Sequence, residues 1–256
     1  MELAIHSSAL TRSFGDFTAV KGIDLRVEKG CFYGFLGPNG AGKSTTIKML
    51  TGLLAKSSGT MTVLDRDTSD PKQALEIKAN IGVVPEDLAL FDNLTAREYL
   101  TFTGRMHSMP KDMLSQRIDE LLQLLTLSDH EKKLTIEYSH GMKKKLALAA
   151  ALLPDPALLF LDEPFEGVDA VASRTIRKIL TQFVERGSTI FLTSHVLEIV
   201  ERVCTHVGII VGGELVEQTA LADLGTEGSL EKRFLEVVGT DLEQDAELSW
   251  LGDGTL

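Results

Sequence analysis

The chain has 256 residues, 43% of them hydrophobic and 25% charged, and this composition excludes disordered, collagen-like and disulfide-rich proteins. Its formal net charge of -11 excludes an overall positive field of the kind that attracts nucleic-acid phosphates, so no nucleic-acid partner is expected. Cys31 and Cys204 match no metal-ligand spacing, and we expect them to be free thiols in a reducing compartment.

The apolar segments are too short for export or membrane insertion. Residues 1–10 contain no Lys or Arg and no apolar stretch of signal-peptide length, so export is not expected. The longest apolar run, residues 146–153, ends at Pro154 and is far shorter than the roughly 18 residues that cross a bilayer. We therefore expect any action at a membrane to go through a partner.

Short apolar runs predict a series of strands. Residues 23–27 alternate between apolar and polar, and the turn at Lys29-Gly30 leads into a fully apolar strand over 31–36, which together predict an N-terminal antiparallel β part. Segments of helical period separate most of the later runs, so the sequence predicts an α/β core with a mostly parallel sheet. The later predicted strands cover residues 81–84, 158–161, 189–193 and 207–211.

Helical patterns dominate the middle of the chain. Residues 95–98 form a capping box that opens a helix toward Met106, and apolar positions of period 3.6 predict further helices over 114–125 and 171–183. No convincing strand occurs between residues 95 and 153. We therefore predict that the core consists of residues 1–94 and 154–218, interrupted by a helical subdomain over 95–153 and followed by an acidic extension over 219–256.

The negative charge is concentrated toward the C-terminal end of the sequence. Residues 214–256 hold 11 of the 37 acidic residues and only 2 of the 26 basic ones, so the rest of the chain is nearly neutral. A neutral core does not exclude nucleic acid on charge, and that expectation then depends on the motifs. We interpret the end of the chain as a solubilising segment in preference to a regulatory one.

A phosphate-binding motif follows the strand over residues 31–36. The sequence Gly-Pro-Asn-Gly-Ala-Gly-Lys-Ser-Thr fits G-x-x-x-x-G-K-[ST] and leads into a helical run over 46–53, a context that makes a simple Gly-rich turn the weaker alternative. Its glycines let backbone N–H groups converge on phosphate oxygens, while Lys43 reaches the β- and γ-phosphates and Ser44 ligates Mg²⁺. The candidate nucleotide-binding residues are Gly37, Pro38, Asn39, Gly40, Ala41, Gly42, Lys43, Ser44, Thr45 and Thr46.

Two carboxylates end the apolar strand over residues 158–161. Nucleotides in such sheets bind at the carboxyl ends of the strands, so Asp162 is positioned to hold Mg²⁺ directly or through water. Glu163 points elsewhere and is a candidate to orient or deprotonate an attacking water. The alternative is an ordinary surface Asp-Glu pair, which the upstream phosphate motif makes less favoured.

The residues Tyr-Ser-His-Gly-Met at 138–142 stand a little upstream of these carboxylates. With these residues in place, the segment 3–218 resembles the ATP-binding subunits of ABC transporters. Residues 138–142, together with the three lysines directly after them, are similar to the same region in the branch of drug, antibiotic-peptide and sodium exporters. The resemblance implies a P-loop NTPase fold in which residues 138–142 are the family's signature. Ser139 and Gly141 would offer a second anion site at a helix N-terminus, while a plain N-cap role for Ser139 remains open.

The same resemblance implies further roles. His195 matches the family's switch histidine, which would donate a hydrogen bond to the γ-phosphate and act with Glu163 in catalysis. Asp169 matches its D-loop aspartate, and Phe14 stands where an aromatic ring stacks on adenine. Glu86 replaces the family's usual Gln; it still offers an oxygen to Mg²⁺ or its water, but it adds negative charge and cannot donate as an amide does.

The leading hypothesis is therefore an ATP-hydrolysing subunit that drives substrate movement, in the direction of export, through separate integral membrane permease subunits. Its cofactors would be ATP and Mg²⁺, and it would lie in the cytoplasm on the inner face of the cell membrane. The resemblance implies that each site joins the phosphate loop of one subunit to the signature of another, so a second ATPase subunit, most simply a second copy, is expected. The alternatives are a soluble ABC ATPase acting on ribosomes or DNA, and a P-loop kinase.

Overall fold

The computed structural model describes residues 2–225 and 229–239 of the chain. The strands within these residues are β1 (Leu3–Phe14), β2 (Phe17–Ile23), β3 (Arg26–Glu28), β4 (Phe32–Leu36), β5 (Ser58–Val63), β6 (Arg66–Asp67), β7 (Ile81–Val84), β8 (Leu158–Asp162), β9 (Thr189–Ser194), β10 (His206–Val211) and β11 (Glu214–Ala220). The α-helices are α1 (Lys43–Leu50), α2 (Pro71–Asn80), α3 (Ala96–Met106), α4 (Lys111–Leu124), α5 (His140–Leu152), α6 (Ala170–Glu185), α7 (Leu197–Val203) and α8 (Ser229–Val238).

The larger sheet has six strands in the order β11-β10-β4-β9-β8-β7, and only β11 runs antiparallel to its neighbour. Every residue of β4, β8 and β9 is buried, because several helices cover one face, while helix α1 and the smaller antiparallel sheet together cover the other. This burial on both faces accounts for the unbroken apolar runs in the sequence. The predicted parallel core is confirmed, and β4 and β8 carry their motif residues at their carboxyl ends.

The smaller sheet is antiparallel, with the order β2-β1-β5-β6 and β3 paired with the first half of β1. It confirms the predicted N-terminal antiparallel part, but the single strand predicted over residues 23–27 is wrong. The chain leaves β2 after Ile23 and enters β3 at Arg26, and in between the Leu25 N–H donates to Ser7 Oγ at 3.0 Å. Alternating burial continues through this break, so the pattern alone did not reveal it.

The helical region of residues 95–153 contains α3, α4 and α5 and, among its described residues, no strand beyond an isolated bridge between Thr95 and Leu134. The predicted capping box is confirmed, since Thr95 Oγ1 accepts from the Glu98 N–H at 3.3 Å and the Glu98 carboxylate accepts from the Thr95 N–H at 2.9 Å. Helix α1 ends at Leu50, so the prediction that it continues to residue 53 is wrong; Gly52 has a φ of 72° and ends the turn.

The C-terminal part of the described chain packs back on the core. Leu230 of α8 is fully buried, and its N–H donates to Glu201 Oε1 of α7 at 3.1 Å. Residues 226–228 and 240–256, which belong to the predicted acidic extension, lie outside the described residues. None of the described helices combines the length and apolar character needed to cross a membrane.

Both cysteines are free and buried. Burial raises the pKa of the Cys31 thiol to about 12 and raises that of Cys204 well above its ordinary value. Thiolate is the reactive form of cysteine, so neither side chain is disposed to react in the folded protein.

Candidate active site

The phosphate loop, residues 37–42, is held between the two sheets. A Cβ on Gly37 would lie 2.2 Å from the carbonyl oxygen of Ile210 in β10, and a Cβ on Gly42 would lie 2.7 Å from that of Ala19 in β2. Gly42 also has a φ of 109°, a conformation that residues with a side chain rarely adopt. Only glycine fits these two positions, because neighbouring backbone occupies the space of a side chain.

Lys43 is only 8% exposed, and its Nζ donates to the carbonyl oxygens of Gly37 at 2.7 Å and Pro38 at 3.2 Å. The ammonium group is thus held over the loop whose backbone would carry the phosphates. Thr46 is fully buried and donates to the Gly42 carbonyl at 2.9 Å, while the Ala41 carbonyl accepts from the Gly213 N–H at 3.0 Å. The contacts of Thr46 and Gly213 thus hold the backbone of the loop in place.

A cavity of about 410 Å³ opens beside the loop. Asn39, Gly40, Gly42, Lys43, Ser44 and Thr45 form one wall, whereas Gly37, Pro38, Ala41 and Thr46 do not line it. The predicted nucleotide-binding stretch therefore divides into residues that face the cavity and residues that hold the loop. The other lining residues are Phe14, Phe17, Ala19, Glu86 and Glu163.

The two carboxylates after β8 have different environments. Asp162 is 3% exposed and accepts a short hydrogen bond from the Thr193 hydroxyl of β9. The Glu163 N–H donates to the same hydroxyl oxygen at 3.1 Å, and Glu163 has a φ of 47°, in the left-handed region. This turn aims the Glu163 side chain into the cavity while Asp162 stays within the sheet. The alternative of an ordinary surface pair is wrong, since both residues are buried.

His195 lies one residue after β9 and contacts Glu163. Its Nδ1 is 3.0 Å from Glu163 Oε1, and the His195 side chain is 51% exposed whereas that of Glu163 is 9% exposed. A carboxylate only accepts, so Nδ1 carries the proton in this pair and Nε2 is left for another partner. Nε2 donates only when the imidazole carries both protons.

The residues predicted to bind magnesium offer only oxygen atoms. Ser44 Oγ donates to Glu86 Oε2 at 3.3 Å on the cavity wall, and Asp162 is the third candidate. No group of three or more His, Cys, Asp and Glu side chains that would hold a metal occurs among the described residues. Because Mg²⁺ prefers oxygen ligands and is bound in nucleotide sites through one or two carboxylates plus phosphates, this donor set fits it.

Two aromatic rings form the far end of the cavity. Phe14 and Phe17 are directly paired across the β1–β2 hairpin and are 45% and 65% exposed. The Arg12 guanidinium lies 4.4 Å from the Phe14 ring centroid and covers part of that ring. The sequence predicted Phe14 alone; Phe17 was missed, although its place three residues later across a Gly-Asp turn would have revealed it.

The signature residues do not line this cavity as the described chain forms it. Ser139 is exposed and caps α5, its Oγ accepting from the Met142 N–H at 3.3 Å, so the N-cap reading of Ser139 is correct for the isolated chain. Gly141 and His140 pack against Gly167, where a Cβ on Gly141 would lie 3.2 Å from the Gly167 carbonyl oxygen.

Asp169 caps α6, and its Oδ1 accepts from the N–H groups of Ala172 at 2.9 Å and Val171 at 3.0 Å. The hydrogen bond from Ala172 is the main cause that lowers the pKa of this carboxyl below its ordinary value. Like Ser139, Asp169 lies away from the cavity walls of the same chain.

The three lysines after the signature are not a uniform solvated face. Lys143 Nζ lies 3.6 Å from Asp92, and Lys145 Nζ donates to the Thr126 hydroxyl at 3.0 Å. Lys144 is 2% exposed and donates to the backbone carbonyl of Glu163 at 2.9 Å. Of the three, Lys144 is thus buried and bonded to backbone instead of extending into solvent.

A glycine-rich loop between a buried parallel strand and a helix, a loop lysine above it and carboxylates at the end of a neighbouring strand define a P-loop nucleoside triphosphatase. The chain also matches the family model described as ABC transporter over residues 20–166, more than half of its length. The chain belongs to this family: it is an ATP-binding subunit that hydrolyses ATP to drive transport.

Individual relatives support this family membership. The linearmycin resistance ATP-binding protein LnrL of Bacillus subtilis (strain 168) is 38% identical over 224 residues, which cover 86% of this chain and 70% of that protein. The bacitracin transport ATP-binding protein BcrA of Bacillus licheniformis is 39% identical over 219 residues, 85% of this chain and 70% of that protein.

Solved structures share the fold. An ATP-binding subunit of an ABC transporter superposes with a TM-score of 0.83 at 24% identity, covering 90% of this chain and 99% of the other. The protein cbiO1 from Clostridium perfringens, part of the ABC transporter complex cbiONQ, gives a TM-score of 0.77 at 26% identity, covering 92% of this chain and 96% of the other.

Proposed function

We propose that this chain powers export through separate membrane permease subunits, with Glu163 as the base that activates water and His195 as the group that contacts the γ-phosphate. The supporting observation is the contact of 3.0 Å between Glu163 Oε1 and His195 Nδ1 beside the phosphate-loop cavity. A carboxylate in this position takes the proton of an attacking water, and Nε2 of His195 donates to a γ-phosphate oxygen when the imidazole carries both protons.

Lys43 would exchange its loop carbonyl partners for β- and γ-phosphate oxygens, which are stronger acceptors for an ammonium group. Ser44, Glu86 and Asp162 would hold Mg²⁺, which neutralises charge on the transferred phosphate when it is bound. Phe14 and Phe17 would stack on the adenine at the other end of the cavity.

We further propose that ATP is bound between two copies of the chain. Ser139, Gly141 and Asp169 lie outside the cavity of their own chain, and Ser139 leaves a helix N-terminus open to an anion. A second subunit would bring these groups to the γ-phosphate, and closure would exclude water from the reaction. One solved relative in fold, MJ0796, is described as dimeric with ADP and Pi, at a TM-score of 0.78 and 22% identity.

The permease would dock beside Glu86. A groove of about 230 Å³ lies between the segment after β7 and helix α3, with Pro85, Leu88, Tyr99 and His107 among its lining residues. Glu86 follows Pro85 directly, so a partner in this groove would sense the contact between Glu86 and Ser44. The names of LnrL and BcrA, which concern linearmycin resistance and bacitracin transport, support export as the direction. Binding to a permease would place the chain at the inner face of the membrane.

The Glu163→Gln variant tests the catalytic assignment. It keeps the size of the side chain but removes the base, so we expect ATP turnover to fall by about 10²- to 10⁴-fold while ATP binding is retained. Steady-state phosphate release and equilibrium binding of a fluorescent ATP analogue measure the two effects. Glu185→Gln, an exposed change on α6, is the matched control. Near-normal turnover in Glu163→Gln would remove Glu163 from this role.

The same variant distinguishes the class of activity. Because it traps bound ATP, Glu163→Gln should form an ATP-dependent dimer in size-exclusion chromatography with light scattering, whereas a small-molecule kinase needs no second copy. Recovery of the tagged chain from native membranes then tests the partner. Co-purification of a polytopic membrane protein supports transport; co-purification of ribosomes would instead favour a soluble ABC ATPase.

A further inference from the structure

The signature helix α5 contacts the segment that follows β8 at several points of the same chain. His140 and Gly141 pack against Gly167, and Lys144, one turn further along α5, reaches Glu163 and Glu166. The start of α5 therefore lies directly on residues 163–167. Any displacement of this helix end changes contacts with the residue that we propose as the base.

Lys144 is the polar link in this contact. Its side chain is 2% exposed, and its Nζ lies 2.9 Å from the Glu163 carbonyl oxygen and 3.6 Å from Glu166 Oε2. A buried cation is unfavourable unless hydrogen bonds and opposite charge compensate for lost hydration, and these two oxygens supply both. Lysine side chains on helices ordinarily extend to solvent, as Lys178 does on α6.

The Glu163 backbone needs such support. Its φ of 47° lies in the left-handed region, which costs a residue with a side chain roughly 1–2 kcal/mol. The Thr193 hydroxyl accepts from the Glu163 N–H, and Lys144 donates to the Glu163 carbonyl. Both backbone polar groups of Glu163 are thus bonded to side chains from other elements, and the Glu163 carbonyl also accepts from the Glu166 N–H at 3.3 Å within the turn. These contacts together fix the backbone from which the carboxylate projects.

We propose that Lys144 is a positioning residue for ATP hydrolysis: it clamps the Glu163 carbonyl and so couples the signature helix to the base of the same chain. This rests on the proposed function, in which Glu163 is the base and the signature contacts ATP in the site of the second copy. ATP bound at that other site would press on the start of α5, and Lys144 would transmit the displacement to Glu163. Each chain thereby adjusts its own base when its signature is engaged.

The Lys144→Met variant tests the proposal, because methionine has similar length but donates no hydrogen bond. We expect kcat for ATP to fall between about 10- and 100-fold, since small displacements of a catalytic group have effects of this size. KM for ATP and ATP-dependent dimerisation in the Glu163→Gln background should stay within about twofold, because neither depends on the direction of the carboxylate. Lys144→Arg keeps the charge and the donors and should recover most of kcat.

Lys178→Met is the control for loss of a lysine from a helix, and it should leave kcat unchanged. If Lys144→Met fails to fold, as judged by circular dichroism, Lys144→Gln is measured in its place; its donor is one atom too short for the same bond, so a similar loss is expected. A kcat of Lys144→Met within twofold of wild type would overturn the proposal. So would a lower kcat accompanied by a raised KM and weaker dimerisation, with no recovery in Lys144→Arg. Unchanged turnover in Glu163→Gln would instead overturn the base assignment on which it rests.

Discussion

Two loops of this molecule end at the N-terminus of a helix, and they differ in how they are held. The phosphate loop before α1 is enclosed by backbone from both sheets, with Gly37 against Ile210 and Gly42 against Ala19. The signature spans the start of α5, where Gly141 packs on Gly167 while Ser139 is exposed. The first loop is completed by its own chain, and the second presents its helix end outward.

The difference indicates that the two loop-to-helix junctions have different functions. A loop enclosed by backbone keeps its N–H groups in a fixed direction, which suits tight binding of phosphates before any motion occurs. An exposed helix end contacts the phosphates only when a second subunit brings its bound nucleotide against it. Damage to the two loops should therefore have distinguishable effects.

The largest expected effect comes from paired variants of the two loops. Lys43→Ala removes the loop cation, and we expect loss of measurable ATP binding together with a fall in hydrolysis of about 10²- to 10³-fold. Ser139→Arg blocks the exposed helix end with a bulky cation, and we expect a similar loss of hydrolysis while each chain still binds ATP. Nucleotide binding by fluorescence and phosphate release by absorbance separate the two results.

Mixing the two inactive proteins sharpens this comparison. A mixed dimer contains one site with an intact phosphate loop from the Ser139→Arg chain and an intact signature from the Lys43→Ala chain. We expect the mixture to regain up to a quarter of wild-type hydrolysis, on the order expected for random pairing with one active site of two. A mixture that neither forms ATP-dependent dimers nor regains hydrolysis would contradict the shared site.

A smaller effect tests the enclosure of the phosphate loop. Gly42→Ala introduces a side chain where φ is 109° and where the Ala19 carbonyl would be 2.7 Å away, so we expect a loss of about 2–3 kcal/mol in the free energy of unfolding. Gly40→Ala is the matched control: its φ is 79°, but no atom lies within 4 Å of the added carbon, and about 1 kcal/mol is expected. Urea unfolding measures both, and equal losses would argue against the close approach of β2.

The smallest effect concerns the cap of α6. Hydrogen bonds lower the pKa of Asp169 in the folded state, so its contribution to stability is fully present above its unfolded pKa, near 3.8, and is lost as the pH falls through the folded value. The difference in unfolding free energy between wild type and Asp169→Ala should be constant from pH 7 to about pH 5 and shrink below pH 4.

Asp70→Ala separates the capping role of Asp169 from its proposed role between subunits. Asp70 caps α2, and its pKa is also lowered, with the hydrogen bond from the Lys72 N–H as the main cause. Both variants should give the same pH profile, but only Asp169→Ala should weaken ATP-dependent dimerisation. Equal ATP-dependent dimerisation of the two variants would show that Asp169 acts only as the cap of its helix.

The parallel strands and the longer helices could be predicted because burial on two faces produces apolar runs and burial on one face produces a period of 3.6. The antiparallel sheet was harder, since the residues of β1 and β5 alternate irregularly around bulges. Helix α2 was missed: among its ten residues only Ile77 is buried, so its apolar pattern is weak. Its cap, Asp70 before Pro71, was the available signal.

Sequence reasoning predicted those residues of the cavity and its surroundings that form contiguous motifs. Residues 37–45 and the Asp162-Glu163 pair are recognisable because phosphate binding and strand burial impose fixed spacing. Phe17, Thr193 and Lys144 were missed because their roles depend on contacts between distant segments, such as the 31 residues that separate Thr193 from Asp162. The contact between Glu163 and His195 likewise exists only because β8 and β9 are neighbours.

The position of β4 in the larger sheet has a consequence for how the protein is made. The strand that leads into the phosphate loop pairs on one side with β9 and on the other with β10, and the Phe32 N–H bonds Thr205, 173 residues later in the chain. Contacts of such sequence separation form slowly, because a long loop must close before they are gained. A nascent chain will thus carry its complete phosphate motif well before it can bind ATP, and during that interval both edges of this apolar strand lack their partner strands.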